Sequence, residues 1–221
     1  MAMTTFDSNG SSGTGYLALP PGGAGRGVLV LHAWWGLTDF FKSVADRVAA
    51  QGYVAFAPDL LQGRTAATVD DAQHLIDTNE GAATKATAEA ALEFLREHPA
   101  VQPDPLAAIG FSFGAAYAVL LESLHPGALD RLVLFYGGSD MDLAAAQARI
   151  QGHFAENDDF EPLEAVKQIN LPNAEVHIYP GTGHWFVEEN QPQAYNAEAA
   201  ALAWQRTFSF LGSLDKGTVA A

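Results

Sequence analysis

The segment Gly110-Phe111-Ser112-Phe113-Gly114 follows an apolar run, Leu106 to Phe111, and precedes the small-residue stretch Ala115-Ala116-Tyr117-Ala118-Val119. A serine on a sharp strand-to-helix turn has its hydroxyl raised above a sheet, and glycines two residues to either side let strand and helix approach without Cβ collisions. The helix that starts there points backbone N–H groups and the positive end of its dipole at the same spot, so Phe113 N–H can receive an oxyanion. Five residues alone match such a pattern by chance; the flanking strand and helix make Ser112 a candidate nucleophile for acyl transfer.

A serine hydroxyl is a poor nucleophile until a base takes its proton. The chain has seven histidines. His74, His98 and His125 fall in or at the ends of expected helices, His177 lies inside a strand, and His32 and His153 sit near strand ends. His184 is different, since Tyr179-Pro180-Gly181-Thr182-Gly183-His184-Trp185-Phe186 puts it on a glycine-rich loop after the last expected strand. Loops at the carboxyl edge of an open α/β sheet converge on one crevice, where Ser112 would also stand. The third partner is a carboxylate that orients the imidazole. Asp140 and Asp142 follow one strand, Asp158 and Asp159 the next, and the order serine, acid, histidine admits all four.

The elements needed to hold these groups are visible as alternating patterns. Gly27 to Ala33, Tyr53 to Ala57, Leu106 to Phe111, Arg131 to Tyr136, Ile150 to Phe154 and Ala174 to Tyr179 read as buried strands, with Tyr16 to Leu19 as an edge strand. Thr38 to Gln51 and Thr84 to His98 carry apolar residues at helical spacing and stop at Gly52 and Pro99; Ala115 to Leu124 and Gln193 to Leu211 are further helices. Repeated strand-helix alternation implies the α/β class, with a mostly parallel central sheet and helices on both faces. One domain is expected over 1–221, with 1–13 and 213–221 flexible.

Composition narrows the partners. The 221 residues include 11 Lys and Arg against 26 Asp and Glu, a net charge of -15 that opposes nucleic acid and anionic membranes. The absence of cysteine excludes disulfides, thiolate metal sites and a thiol nucleophile. The start of the chain lacks a basic, apolar leader, and no run approaches the roughly 18 to 20 apolar residues of a membrane span. A soluble cytoplasmic protein is expected, with a monomer favoured and no metal or organic cofactor.

These residues resemble the dienelactone hydrolase family of α/β hydrolases over nearly the whole chain. His32-Ala33-Trp34-Trp35-Gly36 is similar to the family's H-E-x-x-G segment, Pro58-Asp59-Leu60 to its P-D-L, Gly110 to Gly114 to its nucleophile turn, His153 to Pro162 to its acid loop, and Pro180 to Phe186 to its histidine loop. The resemblance implies the α/β-hydrolase fold and a triad of Ser112, Asp158 and His184, with Asp158 chosen by its register to Pro162 and Asp159 in reserve. It also implies that Trp34 N–H joins Phe113 N–H in an oxyanion hole. Trp34, Trp35, Phe111 and Trp185 are expected to line the substrate pocket.

Three departures set this chain apart. Serine stands where the family has cysteine, so more falls to His184 as base. Ala33 replaces a glutamate that assists the thiol, a change consistent with the first. Val187-Glu188-Glu189 lies where dienelactone-cleaving members carry an arginine for the substrate carboxylate, and Glu188 is expected to repel an anion. The expected activity is therefore hydrolysis of a small neutral ester or lactone through an acyl-serine. Acyl transfer or perhydrolysis on the same triad, and a non-catalytic small-molecule binding module, are the alternatives.

Overall fold

The computed structural model of the chain describes residues 1–8 and 11–212. In chain order the elements are β1 (Ala2–Ser8), β2 (Ser11–Ala18), β3 (Gly27–Leu31), α1 (Asp39–Ala50), β4 (Val54–Pro58), α2 (Val69–Asp77), α3 (Gly81–Glu97), β5 (Leu106–Phe111) and α4 (Phe113–Leu124). They continue with β6 (Leu129–Phe135), β7 (Arg149–Ala155), α5 (Leu163–Lys167), β8 (Ala174–Tyr179) and α6 (Ala197–Gly212). The strands form one sheet in the order β1-β2-β4-β3-β5-β6-β7-β8. From β4 to β8 every pairing is parallel, while β2 runs antiparallel to both β1 and β4.

Burial on both faces explains why the central strands read as unbroken apolar runs. On one face Val28, Val30, Ala55, Ile109 and Val133 meet Phe41, Val44 and Val48 of α1 and Trp204 and Phe210 of α6. On the other, Leu29, Leu31, Phe56, Ala108 and Leu132 meet Ala88, Leu92 and Leu95 of α3 and Ala118 and Val119 of α4. The α/β-hydrolase architecture expected from the sequence is present, with helices on both faces.

The amino end differs from expectation. The segment 1–13, expected to be flexible, contributes β1 and the start of β2, and Tyr16 lies on an interior strand instead of an edge. Its polar residues pair through the backbone, and Phe6 anchors them, 2% exposed with its ring centroid 5.3 Å from that of Phe56 and 5.6 Å from that of Phe94. Burying such a ring stabilises by roughly 1.5–3 kcal/mol. Helix α2 was not expected from the sequence: Val69, Ala72, Leu75 and Ile76 recur at helical spacing, but the stripe is short and only Ala72 is buried. Helix α6 starts four residues later than the sequence suggests, where the Asn196 side chain accepts the Ala199 N–H at 3.0 Å. The expected flexible segment 213–221 lies outside the described residues.

Candidate active site

Ser112 sits between β5 and α4 at φ 48° and ψ -112°, a backbone conformation an L-residue adopts only where its surroundings force it. Two glycines provide the force. A Cβ on Gly114 would lie 2.1 Å from the Leu31 carbonyl oxygen and 2.6 Å from that of His32, and one on Gly110 would lie 2.5 Å from the Ala115 Cα. The helix start is therefore pressed against the ends of β3 and β5, and Ser112 N–H is held by the Phe135 carbonyl at 2.9 Å. Phe113 is the first residue of α4, so its N–H has no carbonyl one turn back to bond.

The loop after β8 brings His184 to this turn. His184 Nε2 lies 2.9 Å from Ser112 Oγ, and its Nδ1 lies 2.8 Å from each carboxylate oxygen of Asp158. The Asp158 side chain is fully buried and that of His184 is 4% exposed. Asp158 is fixed from the other side, its Oδ1 accepting the N–H groups of Phe160 at 2.9 Å and Glu161 at 3.0 Å. Glu161 in turn accepts from the Ser139 N–H and hydroxyl, which ties the acid-bearing loop to the segment after β6. With Nδ1–H donated to a carboxylate, Nε2 is left as the acceptor for the serine proton.

The remaining acids and histidines stand elsewhere. Asp159 is exposed, as are Asp140 and Asp142, the last accepting the Ala144 N–H at 3.2 Å. His32 is buried, with Nδ1 2.7 Å from the Ala33 carbonyl and Nε2 accepting the Leu60 N–H at 3.0 Å. It fastens the end of β3 to the segment after β4, and burial lowers its pKa. His153 lies on β7 among Tyr179, Gln151 and Thr207.

The aromatic residues divide into wall and floor. Trp34 and Trp185 are partly exposed beside the serine turn and stack at 6.0 Å, while Trp35, 1% exposed, packs behind Trp185 at 5.1 Å. Phe111 corrects the expectation: it is 0% exposed beneath the serine, stacked on Phe135 at 4.8 Å, and belongs to the core. A strand residue adjacent to the turn points down into the sheet because alternate side chains take opposite faces. Phe160 was missed. Its ring, 48% exposed, packs on Trp34 at 5.4 Å, His184 at 4.9 Å and Trp185 at 5.3 Å. Its position two residues after the acid was the one signal for it. Beside this wall opens a cleft of about 380 Å³, lined by Asp159, Phe160, His184, Trp185 and Tyr195 among others.

Glu188 also corrects the expectation. It is 0% exposed, its Oε1 accepts the Tyr136 hydroxyl at 2.8 Å, and it does not line the cleft. Burial pushes its carboxyl up to about 8, against the opposing pull of the Tyr136 hydroxyl and the Trp35 indole, so near neutral pH it is mostly uncharged. Repulsion of an anion by Glu188 is therefore weak.

Among the described residues no cluster of three or more His, Asp or Glu side chains forms a metal site, and no helix is long and apolar enough to cross a membrane. Residues 14–214 match the model of the dienelactone hydrolase family. Protein usf of Aquifex pyrophilus is 33% identical, the alignment covering 94% of this chain and 96% of that one. A putative carboxymethylenebutenolidase of Aquifex aeolicus is 30% identical over the same shares. Among solved structures, a putative dienelactone hydrolase from Klebsiella pneumoniae superposes with a TM-score of 0.83 at 22% identity, covering 96% of this chain and 98% of that one. A dienelactone hydrolase-like promiscuous phosphotriesterase from metagenomic libraries gives 0.79 at 24% identity, with 95% of each chain covered. The chain thus belongs to the dienelactone hydrolase family and is a hydrolase of that type.

Proposed function

We propose that the chain hydrolyses small neutral carboxylic esters or lactones through an acyl-serine on Ser112. The observation that carries this reading is the continuous hydrogen-bond path from Ser112 Oγ to His184 Nε2 at 2.9 Å and from His184 Nδ1 to Asp158 at 2.8 Å. Ser112 Oγ attacks the carbonyl carbon as His184 Nε2 removes its proton, and Asp158 compensates the imidazolium that forms. The developing oxyanion is received by the N–H groups of Phe113 and Trp34. His184 then protonates the leaving alkoxide, and a water deprotonated by the same nitrogen cleaves the acyl-serine, restoring the hydroxyl.

The neutral substrate is supported by the character of the wall. Phe160 and Trp185 give the cleft an aromatic side among the uncharged polar residues Asn157, Thr182, Gln193 and Asn196, and the one carboxylate lining it, Asp159, is exposed and disfavours an anion. Relatives named carboxymethylenebutenolidase support a lactone ring as the group cleaved; the neutral substrate proposed for this chain lacks the carboxyl group which that name records.

A panel of esters and lactones assayed with the wild type and Ser112→Ala tests the reading. The variant is expected to lose roughly 10³-fold or more in kcat/KM while remaining folded. An organophosphonate is expected to label Ser112 in the wild type. A chain that turns over none of the panel and leaves Ser112 unlabelled would be a binding module instead.

A further inference from the structure

Tyr136 occupies the position immediately after β6, at φ 38°, a left-handed conformation that a bulky residue takes only under constraint. Its N–H is held by the His153 carbonyl at 2.8 Å. The next residue, Gly137, is pressed against the serine turn so closely that a Cβ there would lie 2.5 Å from the Ser112 carbonyl oxygen. The Tyr136 ring in turn packs on the His184 imidazole, with centroids 4.8 Å apart, and edge-on against Phe186 at 5.7 Å. One backbone bend therefore touches both ends of the Ser112–His184 hydrogen bond.

What keeps that ring in place is Glu188, four residues beyond His184 on the same loop. The bond from the Tyr136 hydroxyl to Glu188 Oε1, at 2.8 Å, closes a circuit from β6 through the carboxyl and back along the loop to the imidazole. The Glu188 backbone is itself held, its N–H donating to the Trp185 carbonyl at 2.8 Å. Trp185, between them, also holds a positive φ of 64°. Upstream, the loop is anchored before the histidine by Asn157 N–H on the Thr182 carbonyl at 2.9 Å and Gly181 N–H on Glu156 at 2.8 Å. The Tyr136–Glu188 bond supplies the matching anchor after it.

We propose that Tyr136 and Glu188 are positioning residues for His184, their hydroxyl–carboxyl bond fixing the plane in which the imidazole meets Ser112. The proposal rests on the reading of His184 as the base. A ring that tilts by a fraction of an ångström lengthens the proton-transfer distance, so such a device acts on the chemical step more than on substrate binding. Burial of the carboxyl keeps water from competing for the Tyr136 hydroxyl, which makes the tie rigid.

The test measures kcat, KM and thermal unfolding on one neutral ester for Tyr136→Phe, Glu188→Leu, Glu188→Gln and Ser112→Ala. Tyr136→Phe and Glu188→Leu are each expected to lower kcat about tenfold with KM held within about twofold. Glu188→Gln keeps an oxygen acceptor for the tyrosine and is expected to recover most of what Glu188→Leu loses. Organophosphonate labelling of Ser112 is expected to slow in step with kcat. If Glu188→Leu does not fold, Tyr136→Phe alone decides. A folded Tyr136→Phe with unchanged kcat, or with its whole loss in KM, overturns the proposal. Failure of the underlying reading is separate, since it shows as activity retained by Ser112→Ala.

Discussion

Two buried imidazoles, one packed on Tyr136 and the other stacked on the preceding Phe135, are built for opposite purposes. His184 stands on a loop, with a serine hydroxyl on one ring nitrogen and the Asp158 carboxylate on the other. His153 stands on β7, with Nδ1 2.8 Å from the Tyr179 hydroxyl and Nε2 3.0 Å from the Gln151 amide oxygen and 3.1 Å from the Thr207 hydroxyl. Both rings are shielded from water and both have two bonded nitrogens, so burial and hydrogen-bond number do not separate them. The charge of the partners does. A proton arriving at His184 meets a carboxylate, whereas one arriving at His153 meets neutral groups, with the cation Arg206 near enough to oppose it. With no carboxylate among its partners, burial drives the His153 pKa well below its ordinary value, and His177 and Arg206 add to the effect.

The sharpest way to break this contrast is to remove the carboxylate. Asp158→Asn preserves shape but leaves His184 facing an amide, and kcat is expected to fall about 10³–10⁴-fold. Asp159→Asn, one residue along and exposed, is expected to change kcat by no more than about threefold. Steady-state kinetics on one ester, with circular dichroism as a check on folding, compares the two. Equal losses from both would mean that the pairing at 2.8 Å does not govern the base.

His153 is expected to respond in stability and not in chemistry. His153→Ala strands the Tyr179 hydroxyl, the Gln151 amide and the Thr207 hydroxyl in a dry interior, at a cost of about 2–4 kcal/mol. For a chain of this length that lowers Tm by roughly 5–15 °C. The activity of the folded fraction is expected to stay within about tenfold of wild type. Loss of kcat without loss of Tm would make His153 part of the chemistry and erase the contrast.

How far such differences can be read from sequence depends on whether local backbone or distant packing creates them. Ser112 is legible because glycines at fixed offsets between a strand and a helix describe a turn by themselves, and His184 because a glycine-rich loop after the last strand points to the same crevice. Asp158 was not separable from Asp140, Asp142 or Asp159 by pattern, since its distinction is two N–H bonds from its own turn and a register supplied by family likeness. Phe111 and Glu188 were misjudged for different reasons: Phe111 stands beside the nucleophile in sequence, and Glu188 stands where the family resemblance implies a residue that meets the substrate. Strand alternation turns the Phe111 ring inward, and the Trp185 bend carries the Glu188 carboxyl under Tyr136. Strand β1 lacks an apolar rhythm because backbone pairing and the single anchor Phe6 hold it, and the apolar stripe of α2 is only two turns long.

A pH-dependent test sharpens the comparison by adding a buried acid to the buried imidazoles. Glu188 has its carboxyl raised from 4.5 to about 8, so across that window the folded chain keeps a proton that the unfolded chain has released. Its contribution to stability therefore declines as pH rises from 4.5 to about 8 and stays flat above. His153 and His32 have the opposite dependence. Their folded pKa values lie below 6.5, so the unfolded chain takes up protons that the folded chain refuses, and stability is lost as pH falls below 6.5. Glu188→Gln removes the first dependence and leaves the second. The Tm of this variant is expected to gain on wild type steadily as pH rises from 4.5 to about 8, then to run parallel to it, with both curves dropping together on the acid side. A gap that stays constant through that window would place the Glu188 carboxyl in its ordinary ionised state. A neutral Tyr136–Glu188 tie would then be untenable, since the tyrosine hydroxyl would be donating to an ionised carboxylate.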